Sequence, residues 1–186
     1  MGFASDGRDR VNQFALVIYI PDPLGRFVND LRLELAPSCR PHAHVSVLPP
    51  RPLGCPWQLA CKEARALAEE FTPFEIEATG TAIFPLSKVI YLEIGNGARE
   101  LHRMHERLTR ANLAHDEPYP YHPHITLAQE LPPEAVADAY ELARRRWNAY
   151  MGPRSFTAER AAFVQNTADN HWLDLAGFSL SGVPAL

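Results

Sequence analysis

The sequence predicts an α+β protein of two pseudo-twofold-related lobes, in which antiparallel sheets flanked by helices surround a central cleft. Three observations lead there. Helical stretches are followed by paired strands rather than alternating strictly with single ones. The order helix, short His-bearing strand, helix, strand, strand occurs twice, over approximately residues 22–95 and 98–178. The offset between the copies is also steady, because His44 precedes His124 by 80 positions and Lys88 precedes Asn170 by 82. The expected unit is one bilobal domain over residues 13–186, preceded by a polar, turn-rich and flexible start at residues 1–12.

Each element follows from local pattern. QFALVIYI (13–20) is an apolar, β-branched and aromatic run that Pro21 ends, which reads as a buried strand. DPLGRFVNDLRLELA then spaces Phe27, Leu31 and Leu35 as one helical face after a cap at Asp22. AHVSVL (43–48) is the next strand, closed by Pro49 and Pro50. CPWQLACKEARALAEEF reads as a helix with Leu59, Ala66, Leu67 and Phe71 inward. FEIEATGTAIF and KVIYLEIG are two strands joined near Pro85 to Ser87, and GARELHRMHERLTRANL is a helix. The second copy continues with YHPHITLA as strand, PPEAVADAYELARRRWNAY as helix, and SFTAERAAFVQN and NHWLDLAGF as a strand pair.

Composition narrows the function classes. A net charge of −4 and a pI near 6.0 argue against a protein that holds long nucleic acid mainly by blanket phosphate neutralisation. Arg99, Arg103, Arg107 and Arg110 recur at helical spacing and Arg144 to Arg146 are consecutive, which reads as solvated helix faces. Cys39, Cys55 and Cys61 form no CxxC pair, so neither a disulfide framework nor a thiolate zinc site is expected. No apolar run is long enough for a membrane span and the start lacks the apolar core of a signal peptide, so a cytoplasmic monomer without membrane association is expected.

The chemistry concentrates in two short strands. In an extended strand alternate residues share a face, so His122, His124 and Thr126 point one way while Ile125 and Leu127 point the other. PHAHVSVL repeats the pattern with His42, His44 and Ser46. A lone histidine on a strand is most often structural. Two copies in duplicated halves can instead present two imidazoles and two hydroxyls to one cleft. Such a cleft suits in-line displacement at phosphorus: one neutral imidazole accepts a proton from the attacking oxygen and the opposite imidazolium donates one to the departing oxygen. Ser46 and Thr126 can donate hydrogen bonds to the non-bridging oxygens. The scheme needs neither metal nor cofactor.

HVSV at 44–47 and HITL at 124–127 resemble the paired H-x-[ST]-hydrophobic motifs of the 2H phosphoesterase superfamily, particularly its 2′-5′ RNA ligase-like branch. The second is the closer match, with Tyr121, Pro123, His124, Ile125, Thr126, Leu127 and Ala128 following the aromatic-x-P-H-[IV]-T-L-A segment. The first departs from the pattern: Ser46 replaces the commoner threonine and LPPRPL follows it. The resemblance implies hydrolysis of 2′,3′-cyclic phosphodiesters of RNA ends or nucleotides, with reversible 2′-5′ ligation in some relatives. It implies His44 and His124 as the catalytic residues and Ser46 and Thr126 as the phosphate-binding ones. His42 and His122 are candidate supporting rings, Tyr121 a candidate surface for base stacking together with Trp57, Phe84, Tyr119 and Trp172, and Arg51 a candidate phosphate contact.

Two other classes compete. The HxH pairs can supply imidazole ligands to a metal, with Asp116 or Glu117 as a carboxylate, although the hydroxyl two residues on then has no role. A non-catalytic module can hold a nucleotide or RNA end without turnover, although both histidines and both hydroxyls are retained. A serine hydrolase based on Ser46 lacks a nucleophile elbow, because HVSVL has no flanking glycines.

Overall fold

Two four-stranded antiparallel sheets organise the chain in the computed structural model, which describes residues 9–40 and 42–182. In order these residues form β1 (Arg10–Tyr19), α1 (Leu24–Leu35), β2 (His44–Arg51), α2 (Trp57–Ala68), β3 (Phe74–Ile83), β4 (Ile90–Ile94) and α3 (Ala98–Leu108). After a 3-10 turn at Ala111–Leu113 come β5 (His124–Ala128), a second such turn at Pro133–Ala135, α4 (Val136–Ala149), β6 (Ser155–Ala158), β7 (Arg160–Thr167) and β8 (Trp172–Ser179). The predicted α+β class is the one adopted.

The sheets run β2-β1-β7-β8 and β5-β4-β3-β6. Each therefore mixes the two halves of the sequence. The strand pair that closes each half lies with the His-bearing strand of the other: β3 and β4 with β5, and β7 and β8 with β1 and β2. Helices are exchanged as well, with α2 and α3 covering the first sheet and α1 and α4 covering the second. SFTAERAAFVQN, expected as one strand, is two. Ala158 pairs with Phe74 in one sheet and Arg160 with Ser179 in the other, so the chain changes sheet across Glu159.

Helix faces follow the 3.6-residue period. α1 buries Leu24, Val28, Leu31 and Leu35, and α3 buries Leu101, Met104, His105 and Leu108. Trp147 of α4, 1% exposed, donates its indole N–H to the Thr79 carbonyl of β3 at 2.8 Å, which satisfies the one polar atom of a large buried ring.

Several local expectations are corrected. Arg10 to Asn12, expected within the flexible start, belong to β1, where Arg10 pairs with Thr167 and the Asn12 amide bonds both backbone groups of Leu53. The expectation for residues 1–8 lies outside the described residues. β2 does not stop at Pro49 and Pro50, because an edge strand has no donors to lose on its open side. Asp22 makes no helix cap; its carboxylate accepts from Arg26 at 2.9 Å. α2 buries Ala60, Cys61, Ala64 and Ala68 and leaves Leu59 54% exposed, since small side chains let the helix lie close to α3 and the sheet.

Candidate active site

β2 and β5 stand at the first edge of their respective sheets and approach one another. Both show one alternation: His44, Ser46, His124 and Thr126 are half-buried, and Val45, Val47, Ile125 and Leu127 are fully buried beneath them. The ladders break at matching places. Leu16 and Val17 oppose Leu48 and Ser46, leaving Val47 as an extra residue, and Ile90 and Tyr91 oppose Ala128 and Thr126, leaving Leu127. A bulge after each hydroxyl bends the strand and re-aims the residues around it.

The two imidazoles are held alike. His44 Nδ1 lies 2.6 Å from the His42 carbonyl and His124 Nδ1 lies 2.7 Å from the His122 carbonyl. A carbonyl only accepts, so each Nδ1 carries a hydrogen and each neutral ring keeps its Nε2 lone pair. Burial pushes the His44 pKa down to about 4, opposed by the bond to the His42 carbonyl and reinforced by the charges of Arg32, His124 and His42. Burial also lowers His124, again opposed by its carbonyl bond and reinforced by the charge of His122.

Register supplies the surroundings. Tyr19 sits opposite His44, and Ser46, Val17 and Ala162 form the next row across the sheet. Ala15, Val17 and Val164 make an apolar cluster separate from the main core, joined by Tyr19, Ala162 and Trp172. That cluster floors the face carrying His44 and Ser46. Tyr19 donates to Asp174 Oδ1 at 2.5 Å, and its ring lies 5.6 Å from that of His42. An open groove of about 760 Å³ lies at this end of β1, with Tyr19, Arg160, Asp174 and Gly177 in its wall and none of His44, Ser46, His124 or Thr126. Beside the second motif, Phe84 stacks on Tyr91 at 4.1 Å and turns its neighbours His122 and His124 edge-on at 5.3 and 5.0 Å.

The outlying candidates fare differently. Arg51 is not a free phosphate contact: it is 2% exposed, and its guanidinium donates to the Pro49 and Leu113 carbonyls and to Glu117. Tyr121 is not open to stacking with a base, because its ring already lies flat on His105 at 3.9 Å and its hydroxyl donates to the Ser46 carbonyl at 2.8 Å. His42 and His122 have exposed rings, and it is their carbonyls that touch His44 and His124. Trp57 packs on the core and Tyr119 is exposed, whereas Phe84 and Trp172 stand beside the motifs. Among the described residues no group of three or more His, Cys, Asp or Glu side chains is arranged to hold a metal ion.

Sequence reading missed Tyr19, Arg32 and the two carbonyl anchors. Tyr19 was legible only as part of an apolar strand, and Arg32 only as a helix residue far from either motif. A backbone carbonyl leaves no residue-type signal.

Comparison with known proteins places the chain in a family and matches its fold. The family model of the 2′-5′ RNA ligase superfamily matches residues 20–170. A "Putative phosphoesterase" of Geobacillus kaustophilus is 29% identical over 137 residues, spanning 69% of this chain and 75% of that protein. Another, of Geobacillus sp. (strain WCH70), is 38% identical over 80 residues, spanning 42% of this chain and 46% of its own length. TT0787 of Thermus thermophilus shares the fold with a TM-score of 0.64 at 18% identity, over 91% of this chain and 98% of that one. E. coli LigT in apo form does so at 0.62 and 15% identity, over 93% and 99%. The same protein complexed with 3′-AMP gives 0.59 and 16% identity, over 94% and 99%.

Proposed function

The chain belongs to the 2′-5′ RNA ligase superfamily, and from that premise we propose that it is a phosphoesterase that opens 2′,3′-cyclic phosphodiesters of RNA ends or nucleotides without a metal. The observation that carries this reading is the matched pair of imidazoles on two edge strands, each with Nδ1 bonded to the carbonyl two residues before it and Nε2 left for proton transfer. His44, whose pKa burial pushes down to about 4, stays neutral and takes a proton from the attacking water. The water oxygen bonds to phosphorus as one ring P–O bond breaks, and His124 protonates the departing ribose oxygen, leaving a phosphomonoester. The Ser46 and Thr126 hydroxyls donate to the non-bridging oxygens, where charge develops.

The substrate's remainder has places to go. The apolar floor with Tyr19 and Trp172 offers flat surfaces to a nucleoside on one side, with the groove beyond Tyr19 as room for more, and Phe84 offers one on the other. E. coli LigT, which shares the fold, has been crystallised with 3′-AMP, and that supports a nucleotide-derived substrate here. With a terminal 5′ hydroxyl in place of water as the attacking group, the same acid–base pair forms the new P–O bond as one ring P–O bond breaks and leaves a phosphodiester, which is the ligase reaction. The test is a panel of 2′,3′-cyclic nucleotides and RNA oligomers ending in cyclic phosphate, assayed in excess chelator with the product identified as 2′ or 3′. Turnover lost on metal removal, or absent from every member, refutes the proposal.

A further inference from the structure

We propose that Tyr121 is a positioning residue that ties the first motif strand to the approach of the second, and so fixes the relative placement of His44 and His124. The role of that placement in catalysis rests on the function proposed above.

The argument starts at the bulge. In a regular edge strand successive carbonyls alternate between the ladder and the open side. With Val47 extra in β2, the Ser46 and Val47 carbonyls are both taken by side chains from the second half of the chain. Tyr121 donates its hydroxyl to Ser46 at 2.8 Å, and His105 of α3 bonds the Val47 carbonyl through Nδ1 at 2.8 Å. The two rings stack parallel to within 1° at 3.9 Å, so each limits the movement of the other. His105 Nε2 lies 3.5 Å from Glu117, which pairs with Arg51 at the far end of β2. The stretch from Glu117 to Tyr121 thus holds β2 at Ser46 and at Arg51. Tyr121 leads into His124 through Pro123, whose ring fixes φ and limits the play between them.

The grip is one-sided. Among the described residues no side chain bonds the carbonyls of Thr126 or Leu127 at the matching bulge. The residue 80 positions before Tyr121 is Pro41, which carries no hydroxyl. The device therefore is not a by-product of the repeat. The single Tyr121 bond runs from the lead-in of one motif to the hydroxyl-bearing residue of the other.

Tyr121→Phe removes the hydroxyl and keeps the stack. The substrate-free arm follows the His44 and His124 ring protons by NMR against pH, because each midpoint reports the surroundings in which its ring is held. The variant is expected to unfold cooperatively like the wild type, yet to show shifted titration midpoints for the two rings. With 2′,3′-cyclic AMP, kcat is expected to fall about 10-fold or more with KM within about twofold, as suits misplacement of reacting groups rather than lost binding. His105→Gln removes the stack, keeps a donor toward Val47, and is expected to act in the same direction by less. Titration curves and kcat matching the wild type in both variants overturn the proposal. A wild type without turnover refutes the phosphoesterase reading instead, and the titration arm still decides whether Tyr121 sets the two rings.

Discussion

Burial of His44 makes the fold sensitive to acid through one ring. Its pKa is about 4 in the folded protein against an ordinary 6.5 for the unfolded chain. Between those values the unfolded chain binds a proton that the native state excludes, so this contribution is fully present above pH 6.5 and lost as pH falls toward 4. At roughly 1.36 kcal/mol per pH unit the difference amounts to on the order of 3 kcal/mol, a large share of the roughly 5–15 kcal/mol that holds a domain folded. His44→Gln keeps a donor toward the His42 carbonyl and removes the titration. Urea unfolding of both proteins, followed by tryptophan fluorescence from pH 7.5 to 4.5, should show the variant gaining on the wild type through this window, by most of that amount at the acid end. Parallel stability curves would falsify the claim that His44 is held neutral by burial. His124, lowered in the same direction, leaves some acid sensitivity in the variant.

Other outcomes follow from the site. His44→Ala and His124→Ala should each reduce the rate on a 2′,3′-cyclic nucleotide by about 10² or more, with Ser46→Ala and Thr126→Ala costing less; retention of full activity by the double-histidine variant ends the acid–base scheme. The kcat/KM profile should be bell-shaped with its maximum below pH 6.5, because both rings titrate below the ordinary histidine value; a maximum near pH 8 contradicts it. Trp172→Ala should raise KM for nucleotide substrates while sparing the fold, since Trp172 is only partly buried at the rim of its cluster; an unchanged KM removes it from the nucleoside surface. Glu117→Ala leaves the Arg51 guanidinium buried without its carboxylate and should destabilise by about 3 kcal/mol or more, which a shift in urea midpoint will register or exclude.

The two motif strands were legible because their signal is strictly local. A period of two puts His44 with Ser46 and His124 with Thr126 whatever the tertiary context, and the second copy separated them from the many structural histidines of ordinary strands. The α+β class was legible for the same reason, through helical and extended periods in repeated order. What escaped depends on partners far away in sequence. Arg51 looks like a loop residue between prolines until Glu117, 66 positions later, is found beside it. Tyr121 looks like a base-stacking aromatic until His105 occupies its face and the Ser46 carbonyl its hydroxyl. The sheet change at Glu159 has no glycine or proline to mark it, since Ala158 and Arg160 both sit in strand-forming surroundings. In α2 the leucines carry the stronger hydrophobic signal, and the alanines win the interior because of the space available.

The exchange of strands between the sheets bears on how the molecule is made. β1 can complete only one of its two ladders early, with β2; the other needs β7, and the Gln165 amide reaches the Val11 carbonyl across 154 residues. During synthesis the first half therefore waits with an unpaired strand edge, the kind of exposed surface that invites aggregation and slows folding through high contact order. Cutting the chain between β4 and α3 should yield two fragments that are each insoluble alone and become soluble and folded when co-expressed. The protein is in that sense built as an intramolecular complex, and a split reporter made from its halves would signal through reassembly.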